Sequence, residues 1–208
     1  MKKANTAYFV KIAMLSAVAF LLMFIEFPIP IMPSFVKLDI SDLPPLLGAF
    51  ALGPVAGIII ELLKNLLHIV IKGTSSAGVG ELFNFLCGAL FAACAGLIYK
   101  NNRSRKGAIV ASLVGCLVMA LISLPLNYFV VYPAYVKFYH MPLEAIIGMY
   151  QAILGPIAEI PTGNALFNCL IVFNVPFTFA KGLIDAIICF LIYKPLSPVL
   201  HRESFKNK

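Results

Sequence analysis

The chain is poor in charge, and poorest in acids: nine Asp and Glu stand among 208 residues, against sixteen Lys and Arg. A soluble domain carries roughly a quarter of its residues charged, so water is not the main solvent here. No G-x-x-x-x-G-K-[ST] phosphate loop, H-E-x-x-H zinc motif or G-x-S-x-G elbow occurs. Their absence excludes those routes to nucleotide, metal-assisted and acyl chemistry, and a chain of this kind cannot power transport by ATP hydrolysis alone. The five cysteines, Cys87, Cys94, Cys116, Cys169 and Cys189, never form the close pairs that metal sites use. Lying mostly inside apolar runs, they read as small packing residues.

Apolar residues make up 61% of the chain and the mean hydropathy is +0.95, far outside the range of soluble proteins. A crossing takes roughly 20 apolar residues, so the length has room for about six crossings with short connections. The formal charge of +7 would suggest nucleic acid in a soluble protein. Here the basic residues flank apolar runs, where they orient a chain in the lipid bilayer, and nucleic acid is discounted as a partner. Lys2 and Lys3 before an apolar stretch imitate a secretory signal. Glu26 and Pro28 stand where a small-residue cleavage site belongs, which favours an uncleaved first span.

The apolar pattern predicts an all-α integral membrane protein, a single domain over 1–208, with spans near 8–25, 40–52, 55–71, 82–99, 107–131 and 173–193. The second is short, about 13 residues reaching some 20 Å. It is separated from the third by Gly53 and Pro54, which remove a side chain and a backbone donor at one point. Charge tests this break. With it, the N-terminus, the Lys100–Lys106 loop and the tail from Lys194 share one side and hold eleven of the sixteen Lys and Arg, as cytoplasmic segments should. Both termini are then cytoplasmic. The outer face comprises a Pro-rich loop from Phe27 to Pro45, a Gly/Ser loop from Lys72 to Gly80, and a long segment from Tyr132 to Val172. The apolar stretch Ala145–Ile157 inside that segment is too short to cross and is expected in the interface.

Ionisable residues deep in a span call for an account. Glu61 and Lys64 are three apart on one helix face and can pair, with direct ligand contact the other reading. Lys181 and Asp185, four apart, can neutralise each other, or Asp185 can reach Lys64. A second set lies near the outer face: Asn84 opens the fourth span, Asn127 closes the fifth, and Thr178 and Lys181 open the sixth. Singly these residues hydrogen-bond neighbouring helices or snorkel. Together, from three helices at one depth, they point to a ligand site. Phe35, Phe83, Tyr128 and Phe177 can supply its flat apolar walls. On the first span, Ala13 and Ala17 form a small-residue ridge that another helix can approach closely.

Eight short stretches occur in order: Ala13-Met-Leu-Ser-Ala17, Phe27-Pro-Ile-Pro30, Leu38-Asp-Ile-Ser-Asp-Leu-Pro44, Gly53-Pro-Val-Ala-Gly57, Glu61-Leu-Leu-Lys-Asn65, Asn84-Phe-Leu-Cys-Gly88, Leu126-Asn-Tyr-Phe129 with Pro133-Ala-Tyr135, and Asn174-Val-Pro-Phe-Thr-Phe-Ala-Lys-Gly182. In this order the chain resembles, over nearly its whole length, the substrate-binding S components of energy-coupling factor vitamin transporters, in their riboflavin-specific branch. The resemblance implies a six-helix receptor in the bacterial plasma membrane. It captures riboflavin as transported ligand, with no catalytic cofactor, and docks on a transmembrane coupling subunit that carries two ATPase subunits. Docking falls to the Ala13 and Ala17 ridge. The ligand falls to Asn127 and Lys181, with Thr178, Asn84 and Tyr128 beside them and Phe35, Leu38 and Asp39 from the first outer loop. Two features depart from the family pattern: Thr178 stands where many members have Asn, and the outer segment 133–172 is longer.

The flavin's chemistry fits these residues. Its pyrimidine edge alternates carbonyl acceptors with an N–H donor, which an Asn127 carboxamide can match. Lys181 can donate to the ring and Asn84 can serve the ribityl hydroxyls. Two other readings stand beside this one: an S component for another small vitamin, and an intramembrane enzyme built on Glu61, Asp185 or His68. No general base or nucleophile is arranged around the outer cluster, which speaks against the enzyme.

Overall fold

The structure is a computed structural model, and it describes residues 6–74, 77–155, 160 and 163–201. The outer loop residues 75 and 76, the end of the expected interfacial stretch at 156 and 157, and the tail 202–208 lie outside the described residues.

Nine α-helices and one two-residue ladder are described. Helix α1 is Thr6–Met23. After it come strands β1 (Phe27–Pro28) and β2 (Lys37–Leu38), paired antiparallel with Phe27 opposite Leu38 and Pro28 opposite Lys37. Helix α2, Leu43–Leu52, starts after Asp42 with prolines in its first turn, where their missing N–H groups cost nothing. It is buried all round from Leu43 to Phe50, enclosed by α1 and by the later helices Pro54–Ile71, Val79–Asn101 and Val175–His201. Ten residues rise about 15 Å. A helix walled by other helices needs no apolar length of its own to face lipid, which accounts for the short second segment. It begins at Leu43 rather than near residue 40, after a turn in which the Ser41 N–H donates to Asp39 Oδ1 at 2.8 Å.

Gly53 breaks the chain with φ at +107°, a conformation L side chains rarely adopt, and Pro54 opens α3 (Pro54–Ile71). The buried stripe of α3 is Ala56, Gly57, Ile60, Glu61, Lys64, Asn65 and His68, while Val55, Leu62, Leu66 and Val70 are exposed. Polar side chains face the bundle and apolar ones face out, the pattern a lipid solvent selects. Small residues let the backbones close: a Cβ on Gly57 would stand 2.9 Å from the Cβ atoms of Ala49 on α2 and Ala92 on α4.

Helix α4 is Val79–Asn101. Helix α5, Arg105–Leu126, is capped by Ser104, whose hydroxyl accepts from the Gly107 N–H at 2.9 Å. It does not stop near residue 131. It passes through a π-helical turn, Asn127–Val131, into α6, Tyr132–Tyr139. The last rod behaves likewise and begins well before residue 173: α8 (Ala165–Cys169) leads through a second π turn, Leu170–Asn174, into α9 (Val175–His201). Each π turn is followed by X-Pro, at Tyr132-Pro133 and Val175-Pro176. Proline donates no N–H and its ring presses on the carbonyl four residues back. Widening the preceding turn accommodates it, with Tyr132 N–H bonding to Asn127 O and Val175 N–H to Leu170 O. Between the two rods lies α7, Leu143–Leu154.

Among the described residues, five helical stretches are long and apolar enough to cross a membrane: Thr6–Met23, Pro54–Ile71, Val79–Asn101, Arg105–Phe138 and Ala165–Tyr193. Their outward faces carry many exposed large apolar side chains, among them Met14, Leu21, Leu97, Leu121 and Leu191, as a lipid-facing surface requires.

Candidate functional site

A cavity of about 510 Å³ opens at the end of the bundle where α1 leaves, α3 ends and α4 begins. Its wall includes Asn84 from α4, Asn127 from the first π turn, Asn174 from the second, and Phe177, Thr178 and Lys181 from α9, with Phe83 beside Asn84. Phe35, Val36, Lys37, Asp39 and Asp42 line it from the first loop, and His68, Lys72 and Glu81 from the ends of α3 and α4. The residues predicted from depth alone, Asn84, Asn127, Thr178 and Lys181, thus share one cavity, together with Phe35 and Asp39. Both π turns set an Asn on its wall. Such turns are frequent at functional sites because they re-aim side chains.

Tyr128 and Leu38 are placed elsewhere. One residue beyond Asn127 on a helix turns to another face, and Tyr128 packs edge-on against Phe129 and Phe167. Leu38 lies between Lys37 and Asp39, which line the cavity, and alternation along an extended strand turns it away.

Below the cavity floor lies a buried ionic network. Lys64 Nζ donates to Glu61 Oε1 at 2.7 Å, to Asp42 Oδ1 at 2.6 Å and to Ser41 Oγ at 3.0 Å. Asn65 Nδ2 donates to the Glu61 carboxylate at 3.2 Å. The expected Glu61 and Lys64 pair is therefore present, but Asp42 shares it. Lys181 departs from expectation. Its ammonium lies 2.9 Å from Asp42 Oδ2 and 3.2 Å from Asp39 Oδ2, not on Asp185. The loop delivers two carboxylates to the side of α9 that faces the cavity, whereas Asp185 sits one turn further in. Asp185 does not reach Lys64 either. Its side chain is fully buried, and neither carboxylate oxygen has a hydrogen-bond partner among the described residues.

At the mouth, Glu26 accepts from Lys37 on β2 and from Lys72 beyond α3, the latter at 3.2 Å, and the Lys72 ammonium stands 5.1 Å over the Phe24 ring. Burial raises the Glu26 carboxyl, but the two lysines outweigh it and hold the group below its ordinary value. On the same wall, His68 Nδ1 is 3.2 Å from Glu81 Oε1, and Thr74 donates to Glu81 Oε2 at 3.0 Å.

Asn174 is the wall residue that inspection of the sequence passes over. Its signal is the Val-Pro that follows it, which predicts a break in helix regularity at that point. Opposite-facing polar groups at Lys37, His68 and Glu81 carry no such signal, because they come from loop and helix ends whose approach only the fold supplies.

A membrane bundle with a cavity near one end, polar groups converging on it from three helices and ion pairs against its wall has the architecture of a substrate receptor. The sequence matches the family model described as ECF transporter, substrate-specific component, over residues 7–193, and the chain belongs to that family, whose members are transporter components and not enzymes. It is 39% identical over 193 residues to the riboflavin transporter RibU of Staphylococcus aureus (strain TCH60), covering 93% of this chain and 92% of that one. It is 33% identical over 196 residues to the riboflavin transporter FmnP of Bacillus subtilis (strain 168), covering 93% and 94%. A solved structure described as the S component of a bacterial ECF transporter superposes with a TM-score of 0.70 at 38% identity, over 93% of this chain and 96% of that one.

Proposed function

We propose that this chain captures riboflavin from outside the cell and delivers it to an energy-coupling module. The observation that carries the reading is the convergence of Asn84, Asn127, Asn174, Thr178 and Lys181 on one cavity with Phe35, Phe83 and Phe177. Its volume lies within the roughly 300–1,000 Å³ of small-molecule sites. A planar ring with an apolar body and a polar edge needs aromatic walls and carboxamides that can both donate and accept. In this reading Asn127 meets the pyrimidine edge, and Lys181, with two of its three donors on Asp39 and Asp42, keeps one for the ring. The riboflavin transporters among its relatives support the choice of ligand.

The chain crosses a bacterial plasma membrane with both termini cytoplasmic, six segments counting the short α2, and the cavity outward. The Ala13 and Ala17 ridge, exposed on α1, meets a transmembrane coupling subunit that carries two ATPases. Of the residues an intramembrane enzyme would use, Glu61 and Asp185 lie off the cavity wall, and His68, which is on it, is paired with Glu81; the receptor reading is favoured. Purification from a riboflavin-replete host tests the reading: a yellow, fluorescent ligand should travel with the protein and be released on denaturation as riboflavin. Release of a different vitamin would assign the chain to another branch of the family.

A further inference from the structure

Three polar side chains at the outer end of the bundle close a hydrogen-bonded ring. The Tyr150 hydroxyl donates to Asn174 Oδ1 at 2.6 Å, which commits its one proton. In the contact between the Tyr132 and Tyr150 hydroxyls, Tyr132 is therefore the donor. The Tyr132 oxygen then accepts from Asn174 Nδ2 at 3.4 Å. Each member gives one proton and takes one, so no ring donor or acceptor is left over and the plane of the Asn174 carboxamide is held at both ends. A second Nδ2 proton and a second Oδ1 lone pair stay outside the ring.

The members differ in what they touch. Asn174 and Tyr132 are on the cavity wall; Tyr150 is not, nor is any residue of α7. Tyr150 is fully buried behind them, packed on Phe173 with ring centroids 5.2 Å apart and on Cys169 and Leu170. Without its hydroxyl the ring opens, and the carboxamide is held only at its Tyr132 end.

We propose that Tyr150 is a positioning residue for the captured ligand: its hydroxyl anchors the Asn174 carboxamide, and α7 thereby fixes the position and plane of the carboxamide offered to a planar heteroaromatic edge. This gives the long outer segment a task in recognition although its middle helix never meets the ligand. The inference rests on the riboflavin reading.

Riboflavin titrations of the purified full chain test it, with the absorption spectrum of the bound flavin recorded for each variant. Tyr150→Phe keeps the aromatic ring and deletes the hydroxyl; it should bind about fivefold more weakly and shift the bound-flavin spectrum, in protein that stays folded and monodisperse. In an Asn174→Ala background the same change should add nothing, since its effect passes through Asn174. Wild-type affinity and spectrum in Tyr150→Phe, or additive losses in the double variant, would overturn the role. If Tyr150→Phe does not fold, Tyr132→Phe opens the same ring at its next link, and an unshifted spectrum there overturns it equally. Failure of the wild-type chain to bind riboflavin removes both the reading and this inference, whereas binding with an indifferent Tyr150→Phe removes only the inference.

Discussion

Lys64 on α3 and Asp42 at the start of α2 lie 22 residues apart in the chain and meet inside the bundle, Nζ to Oδ1 at 2.6 Å, with neither side chain more than 2% exposed. The pair joins the start of α2, just after the first loop, to the helical core. Through the other carboxylate oxygen of Asp42 it also reaches Lys181, so floor and wall of the cavity share one carboxyl group.

Removal of one partner from such a pair leaves an unmatched buried charge. Lys64→Met should therefore destabilise the protein by about 3–5 kcal/mol, visible as a large fall in melting midpoint in detergent. A midpoint equal to wild type would show that the network contributes nothing to folding. Lys181→Met is not a clean probe of ligand contact, because it also strands Asp39 and Asp42.

Gly88 faces Glu61 so closely that an added Cβ would overlap its carboxylate. Gly88→Ala should displace Glu61 and lower stability by about 1–3 kcal/mol, the usual cost of overpacking. A neutral Gly88→Ala would mean that the side chain of Glu61 has room to move.

Bulk on the α1 ridge should act on assembly and not on the receptor. Ala13→Trp and Ala17→Trp are expected to weaken co-purification with the coupling subunit while riboflavin titrations stay unchanged. Normal assembly and uptake in both variants would move the docking surface elsewhere.

At the mouth, the depressed Glu26 carboxyl makes loop stability depend on pH. A group whose folded value is lowered contributes stability above its unfolded value, here 4.5, and loses it as pH falls through the lower folded value. Wild type should melt higher than Glu26→Gln at neutral pH, and the two curves should converge as the pH is taken below 4.5. Curves that stay parallel throughout would show that the Lys37 and Lys72 bonds do not stabilise the fold.

Apolar runs and the basic loop at 100–106 make the helices legible, because lipid length and charge asymmetry are one-dimensional signals. The joint at Gly53 and Pro54 is equally local. Helix ends near Pro133 and Pro176 are not, since apolarity fades there while the backbone continues through π turns. For the site, depth alone gathers Asn84, Asn127, Thr178 and Lys181. It leaves out Asn174, which needs its π turn to face the cavity, and it says nothing of the facing of Tyr128 and Leu38, which lie off the cavity lining because facing depends on rotation about an element. Ion partners are least legible: Asp185 is nearer to Lys181 along the helix, yet the loop carboxylates of Asp39 and Asp42 take it.

The central claim is that this cavity binds riboflavin through Asn127, and flavin fluorescence quenching on detergent-purified, monodisperse protein tests it most directly. Asn127→Leu removes paired hydrogen bonds and buries ring polar groups without partners, at about 1–3 kcal/mol each, so the account predicts affinity at least about tenfold weaker than wild type. Unaltered riboflavin affinity in well-folded Asn127→Leu would contradict it.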